Sequence, residues 1–282
     1  MTVKIVTDSV ADLPPQVARE LGITVVPLVL RFGAETYRDG VDLTPDQFYE
    51  KLKTSKAFPA TSVPPPDAYV EAYDRLAEEA DAIVVVSVTS RLSATHEVAL
   101  QAIGEMKKKC RVEVVDSETA TMAQGFIAMK AAQAAKDGAE LEEVMALITR
   151  NIPRAKFIAA FDTLEYLRRG GRIGRAQALM GSMLKINPLI TLKDGLVEPA
   201  GRTRSRAKAI DQIYDFAAGY SHIEELSVGD TACPEDAEAL CERLGAIFPA
   251  GRIYRSKMTP VIGAHTGPGL LLVAILGDRR QS

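Results

Sequence analysis

The stretch Ala82-Ile83-Val84-Val85-Val86-Ser87-Val88-Thr89-Ser90 decides the fold. Its first five residues are apolar without alternation, which is the pattern of a strand covered on both faces, as in a parallel sheet. A hydroxyl-rich turn follows, and then a helical pattern from about Ser93 to Lys108, with Val98, Leu100, Ile103 and Met106 on neighbouring turns. The same grammar extends outward in both directions. Upstream, Val3 to Thr7 and Thr24 to Arg31 read as strands, and Asp12 with Pro14 and Pro15 reads as a helix start between them. Downstream, Val112 to Val115 reads as a strand, and the alanine-rich stretch from Ala120 to Lys136 as a helix. Strand and helix in alternation predict an open parallel sheet.

After about Pro153 the pattern changes. Phe157 to Phe161 is a predicted strand, Asp162 with Glu165 a predicted capping box for a short helix, and Gly170-Gly171-Arg172-Ile173-Gly174 its break. Leu189 to Leu192 and Leu196 to Ala200 flank Lys193-Asp194-Gly195, a hairpin signal. Helical stretches near Ser205 to Ala217 and Glu235 to Leu244 precede further strand-like runs, the last being Leu270 to Ile275. A hairpin among helices implies a mixed or antiparallel sheet. The chain is therefore expected to be an α/β protein of two domains. Residues 1–156 form the parallel-sheet domain, and residues 157–282 form a mixed or antiparallel sheet with helices.

Composition narrows the function. The 282 residues are 47% hydrophobic and 25% charged, a globular mix, with a net charge of −3. That balance supplies no general field for nucleic acid or an anionic membrane. The three cysteines, Cys110, Cys233 and Cys241, are widely spaced, as in a reduced compartment. No targeting peptide is read at the start, and the apolar runs are too short to span a bilayer. The expected location is the cytoplasm, without stable membrane insertion.

In open α/β sheets ligands bind beyond the carboxyl ends of the strands. Those ends carry Thr7-Asp8-Ser9, Ser87 to Ser90 with Ser93, and Asp116-Ser117; a further pair, Thr61-Ser62, lies in a proline-rich loop. Hydroxyls at such turns are commonly caps. As a set, with Ser93 near a helix start, they suit an anion. Val261 to Gly269 surrounds His265 with three glycines and a proline, which marks a tight turn. The other histidines, His96 and His222, have no partner readable in the sequence. Two arginine clusters stand out, Arg168 to Arg175 and Arg202 to Arg206. Neither has P-loop spacing, and no His/Cys set has the spacing of a metal site, so no metal is expected. A hydrolase with Ser93 as nucleophile, His265 as base and Asp8 or Asp116 as orienting acid is the rival reading. Ser93 lacks the glycine-flanked elbow that such enzymes use.

Taken together, these segments resemble the DegV family of bacterial fatty-acid-binding proteins. The resemblance spans essentially the whole chain. It is carried by Lys4 to Ser9 with Asp12-Leu13-Pro14, Thr61-Ser62 with Pro64, Ser87 to Thr95, Asp116-Ser117, Leu164 to Leu167 with Gly170 to Gly174, and the turn from Gly263 to Gly269. It implies a long-chain acyl group such as palmitate in a tunnel at and behind the domain interface, and no cofactor or catalytic residue. The implied ligand-binding residues are Thr61, Ser62, Ser93, Ala94, His265 and Thr266. Relatives act as carrier subunits of a fatty acid kinase, which implies an ATP-binding partner. Arg169, Arg172, Arg202 and Arg204 are the expected docking residues for that partner. The chain departs from the family pattern at Ala94, where glycine is usual, and at Pro64-Pro65-Pro66, which replaces a polar helix cap.

Overall fold

The computed structural model describes residues 2–180 and 186–280. In chain order its strands are β1 (Val3–Asp8), β2 (Thr24–Val26), β3 (Val29–Phe32), β4 (Glu35–Arg38), β5 (Ala60–Ser62), β6 (Ala82–Ser87) and β7 (Arg111–Asp116). They continue as β8 (Ala155–Ala160), β9 (Asn187–Lys193), β10 (Leu196–Thr203), β11 (Tyr220–Asp230), β12 (Ile253–Lys257) and β13 (Leu271–Arg279).

The first sheet has the order β2-β1-β6-β7 and is parallel throughout. Every residue of β6 is buried, and the two-residue period of a strand divides its apolar run between two cores. Ile83 and Val85 pack with Tyr69, Tyr73 and Val98 on one face, while Val84 and Val86 pack with Phe126 and Ile127 on the other. The uninterrupted apolar run is thus explained by helices on both sides.

The second sheet has the order β10-β9-β8-β13-β11-β12, antiparallel except for the parallel pair β11–β12. Its central strand β13 is divided in the same way. Leu271, Val273 and Ile275 face the helices Arg206–Ala218 and Pro234–Leu244, and Leu272, Ala274 and Leu276 face the larger core shared with the first sheet. The expected hairpin joins β9 to β10, and Asp194 and Gly195 both take positive φ, at 51° and 75°.

Four local expectations are corrected. The single strand predicted over Thr24 to Arg31 is two strands in different sheets, because Pro27 between them offers no amide to a ladder. The short helix Glu165–Arg169 has no capping box: Thr163 Oγ1 accepts the Glu165 amide at 3.1 Å, and the Glu165 carboxylate turns to Arg168 and Arg169. Asp12 does not cap the helix Pro15–Leu21; its carboxylate reaches across the fold to the Thr259 amide at 2.8 Å. The helix after β6 is shorter than predicted, Thr95–Ile103, and stops at Gly104. A small antiparallel sheet, β4-β3-β5, was not anticipated. It carries Thr61.

Candidate functional site

Strand β5 pairs with β3 so that Thr61 lies opposite Leu30. Alternation then turns Thr61 inward and leaves Ala60 and Ser62 exposed. Inside, Thr61 Oγ1 meets His265 Nε2 at 2.7 Å. The histidine stands on the helix Pro260–Thr266, which approaches closely because Gly263 has no side chain. A Cβ there would come within 2.5 Å of Phe48 and 2.6 Å of the Tyr49 hydroxyl. Gly170 closes the other edge of the ring, since a Cβ at that position would fall 2.2 Å from His265 Nδ1. The imidazole is thus held between Thr61 and the glycine-rich turn, with no hydrogen-bond partner for Nδ1. Burial first, and the nearby Arg172 charge second, lower its pKa to about 4, so the ring is neutral at ordinary pH.

Ser93 sits just before the helix Thr95–Ile103, with its Oγ 2.8 Å from Thr95 Oγ1 and accepting the Thr95 amide at 3.3 Å. Ala94, next to it, is exposed. Arg172 is half-buried. It donates from Nε to the Leu92 carbonyl at 3.1 Å and from Nη1 to the Gly170 carbonyl at 2.6 Å. One guanidinium therefore ties the Ser93 turn to the turn that packs on His265. Thr266 is buried and spends its hydroxyl on the Ile262 carbonyl at 2.9 Å.

These groups border a cavity of about 110 Å³. Its polar lining is Thr61, Ser93, Thr121, Arg172, His265 and Thr266, and the remainder is apolar. Phe157, Ala159 and Phe161 line it from one face of β8 and its extension, as the two-residue period requires, with Ile190 and Leu192 of β9 beside them. Val10 and Val88 close it from the carboxyl ends of β1 and β6. The cavity wall is mostly apolar.

Of the residues singled out in the sequence, Thr61, Ser93, His265 and Thr266 come together here, while Ser62 and Ala94 are exposed and do not line the cavity. Arg172 lies at the cavity, apart from the exposed Arg169, Arg202 and Arg204. Arg169 pairs with Glu165 at 2.7 Å and stacks 5.1 Å over the Phe58 ring. The Ser–His–Asp arrangement of a hydrolase does not form. Ser93 is bonded to Thr95 and His265 to Thr61, while the carboxylates of Asp8 and Asp116 hold backbone amides of Val10, Val88, Ser90 and Glu118. His96 has a partner after all: its Nδ1 lies 2.9 Å from Ser87 Oγ. Sequence reasoning missed Thr121. It is buried with φ at +58°, unusual for a β-branched residue, and its hydroxyl has no partner. Nothing in a threonine at a helix start announces that conformation.

The fold and site define an α/β protein of two large sheets and one small one, with a mostly apolar cavity that carries hydroxyls, a neutral imidazole and one arginine. Comparison with known proteins gives that class its family. The family model described as "Uncharacterised protein, DegV family" matches residues 2–278. A DegV domain-containing protein of Streptomyces coelicolor is 38% identical over 278 residues, covering 97% of this chain and 98% of its own. Protein DegV of Bacillus subtilis is 35% identical over 282 residues, covering 96% and 98%. Among solved structures, a DegV family protein of Thermus thermophilus described by its fatty acid binding superposes with a TM-score of 0.90 at 34% identity, covering 98% of this chain and all of that one. The DegV fatty acid binding protein of Bacillus subtilis superposes with a TM-score of 0.88 at 31% identity, covering 99% of this chain and 100% of its own. The chain belongs to the DegV family. Among its described residues no helix is long and apolar enough to cross a membrane.

Proposed function

We propose that this protein binds a long-chain fatty acid, with the acyl chain in the mostly apolar cavity and the carboxylate against Thr61 and Ser93. The observation that carries the reading is the contact between Thr61 and His265 in a cavity whose wall is mostly apolar. Unpaired buried N–H groups are rarer than unpaired acceptors. His265 Nδ1 has no partner, so the proton is assigned to Nε2. Thr61 then accepts from the imidazole and keeps its own proton to donate to a carboxylate. Arg172, held in place by two of its donors on backbone carbonyls, contributes a positive charge beside the head group. The fatty acid binding of the Thermus thermophilus and Bacillus subtilis relatives supports the same ligand class.

About fifteen methylenes at roughly 0.8 kcal/mol each supply on the order of 12 kcal/mol of gross burial. Association and ordering offset much of this. The tail accordingly sets affinity, and the head is held by a few neutral donors that leave a carboxylate oxygen available for reaction. That division suits a carrier in the cytoplasm. It presents the carboxylate to a separate ATP-binding kinase subunit, which docks on a face that includes Arg169, Arg202 and Arg204. The two units proposed to enclose the ligand, residues 1–156 and 157–282, meet within strand β8. Native mass spectrometry of protein purified without added lipid tests the binding: a bound mass matching a long-chain fatty acid is expected, and its consistent absence after lipid supplementation refutes the reading. Acyl phosphate formation on mixing with ATP and the kinase subunit tests the carrier role.

A further inference from the structure

The turn that follows His265, Gly267-Pro268-Gly269-Leu270, is gripped by a residue that does not line the acyl cavity. Gly267 and Gly269 take positive φ, at 70° and 86°, so the chain turns sharply between the helix Pro260–Thr266 and strand β13. Against it lies the turn after β11, Thr231-Ala232-Cys233, in which Ala232 is also left-handed, at φ 56°. That conformation is uncommon without glycine. Asp230 secures it, because its Oδ2 accepts the Cys233 amide at 3.1 Å.

Thr231 is fully buried. Its amide donates to the Leu270 carbonyl at 2.9 Å, and its carbonyl accepts the Gly269 amide at 2.7 Å. These backbone bonds continue the β11–β13 ladder, and any residue but proline could make them. The hydroxyl adds what few residues can. It donates to the Gly267 carbonyl at 2.7 Å and accepts the Leu270 amide at 2.7 Å. Only a serine or threonine at this place offers one short group that is donor and acceptor at once. Arg206 Nη1 donates to the Gly269 carbonyl at 2.8 Å from the other side.

The residues that flank this turn, Thr266 and Leu270, line the acyl cavity together with His265. A shift of the turn therefore moves the imidazole and the wall beside it. We propose that Thr231 is a positioning residue of the acyl site, its hydroxyl holding the Gly267–Leu270 turn so that the His265 imidazole meets Thr61. This role rests on the proposed fatty acid binding and extends it to a residue outside the cavity lining. A hydroxyl that merely stabilised the fold would lower stability when removed and leave His265 where it is.

The test compares the full chain with Thr231→Val, which keeps the shape without the hydroxyl, and Thr231→Ser, which keeps the hydroxyl. Thr231→Ala serves as a second variant without it. The first readout is an NMR titration of the His265 imidazole without lipid, its signal assigned by loss in His265→Gln. The parent ring is expected to titrate at about 4, because it is buried. In Thr231→Val and Thr231→Ala the loosened turn admits water, and the midpoint is expected to rise toward the ordinary 6.5. Thr231→Ser is expected to titrate as the parent does. The second readout is palmitate affinity by displacement of a fluorescent fatty acid. Valine is expected to weaken it by about five-fold or more, and serine to stay within about two-fold of the parent. An unmoved imidazole midpoint in either variant without the hydroxyl, or a serine variant that behaves as valine does, overturns the proposal. A parent that binds no palmitate would overturn the acyl reading instead, and the imidazole titration would still decide whether Thr231 positions His265.

Discussion

Thr61 Oγ1 and His265 Nε2 lie 2.7 Å apart although 204 positions separate them in the chain. The small sheet β4-β3-β5 supplies one partner and the helix Pro260–Thr266 the other, so this bond forms only when both ends of the fold are in place. Thr61→Val keeps the shape and removes the hydroxyl. It is expected to weaken binding of palmitate by about 1 to 3 kcal/mol, and Ser93→Ala by a similar amount. A displacement titration with a fluorescent fatty acid measures both. Unchanged affinity in the double variant would remove the hydroxyls from the head-group site.

His265 also predicts a pH dependence. Its folded pKa is about 4 against an ordinary value of 6.5, lowered mainly by burial. Below pH 6.5 the unfolded chain therefore takes up a proton that the folded protein does not, and stability falls as pH drops toward about 4, then levels. At full size this is about 3 kcal/mol. The buried Asp8 and Asp39 have raised pKa values and act in the opposite sense, so the comparison must be between proteins that share them. His265→Gln is expected to flatten the difference between denaturation midpoints at pH 7 and pH 4.5. Parallel pH curves for the two proteins would contradict a neutral buried imidazole.

Gly170 and Gly171 separate steric from conformational effects. Gly170 has φ at −73°, which any residue adopts, but a Cβ there strikes His265 Nδ1. Gly170→Ala is therefore expected to displace the imidazole, reducing fatty acid affinity together with stability, the latter by about 1 to 3 kcal/mol. Gly171 has φ at +71° and open space around its missing Cβ. Gly171→Ala is expected to cost about 1 kcal/mol of stability with ligand affinity kept. Equal affinity for the two variants, measured in one titration series, would mean that Gly170 does not position the ring.

The docking face makes a separate prediction. Arg169→Glu with Arg204→Glu reverses two exposed charges away from the acyl cavity. Fatty acid content is expected to stay unchanged, with a modest fall in melting temperature as the Arg169–Glu165 pair and the Arg169 contact with the Phe58 ring are lost. Acyl phosphate formation with the kinase subunit is expected to fall, and the parent's rate to fall as salt is raised. Full turnover by the doubly reversed protein would return these arginines to ordinary surface.

Much of the architecture was legible because strand β6 and the Lys193-Asp194-Gly195 turn obey local rules: an uninterrupted apolar run and two positive-φ turn positions. The small sheet was not legible, since β3, β4 and β5 are only three or four residues long and carry too little periodicity to read. Within the site, Thr61 and His265 were recognisable from their motifs, but Ser62 was assigned with its neighbour because side-chain alternation needs a strand that had not been predicted. Arg172 was read as surface, like the arginines around it. Its inward course follows from carbonyls at Leu92 and Gly170, and no sequence pattern encodes where distant carbonyls will point.

The apolar walls of the acyl cavity, from Val10 and Leu28 to Leu270 and Leu272, are part of the main core that joins the two large sheets. A hollow of about 110 Å³ in such a core forgoes on the order of 2 to 3 kcal/mol of packing at ~24 cal/mol per Å³. On the proposed function, a polypeptide finished without fatty acid is a weaker solid than one finished around it. In a cell where unfolded chains are continually degraded, a difference of that size changes how long a protein survives. The amount of empty protein would then follow the supply of fatty acid through the void itself.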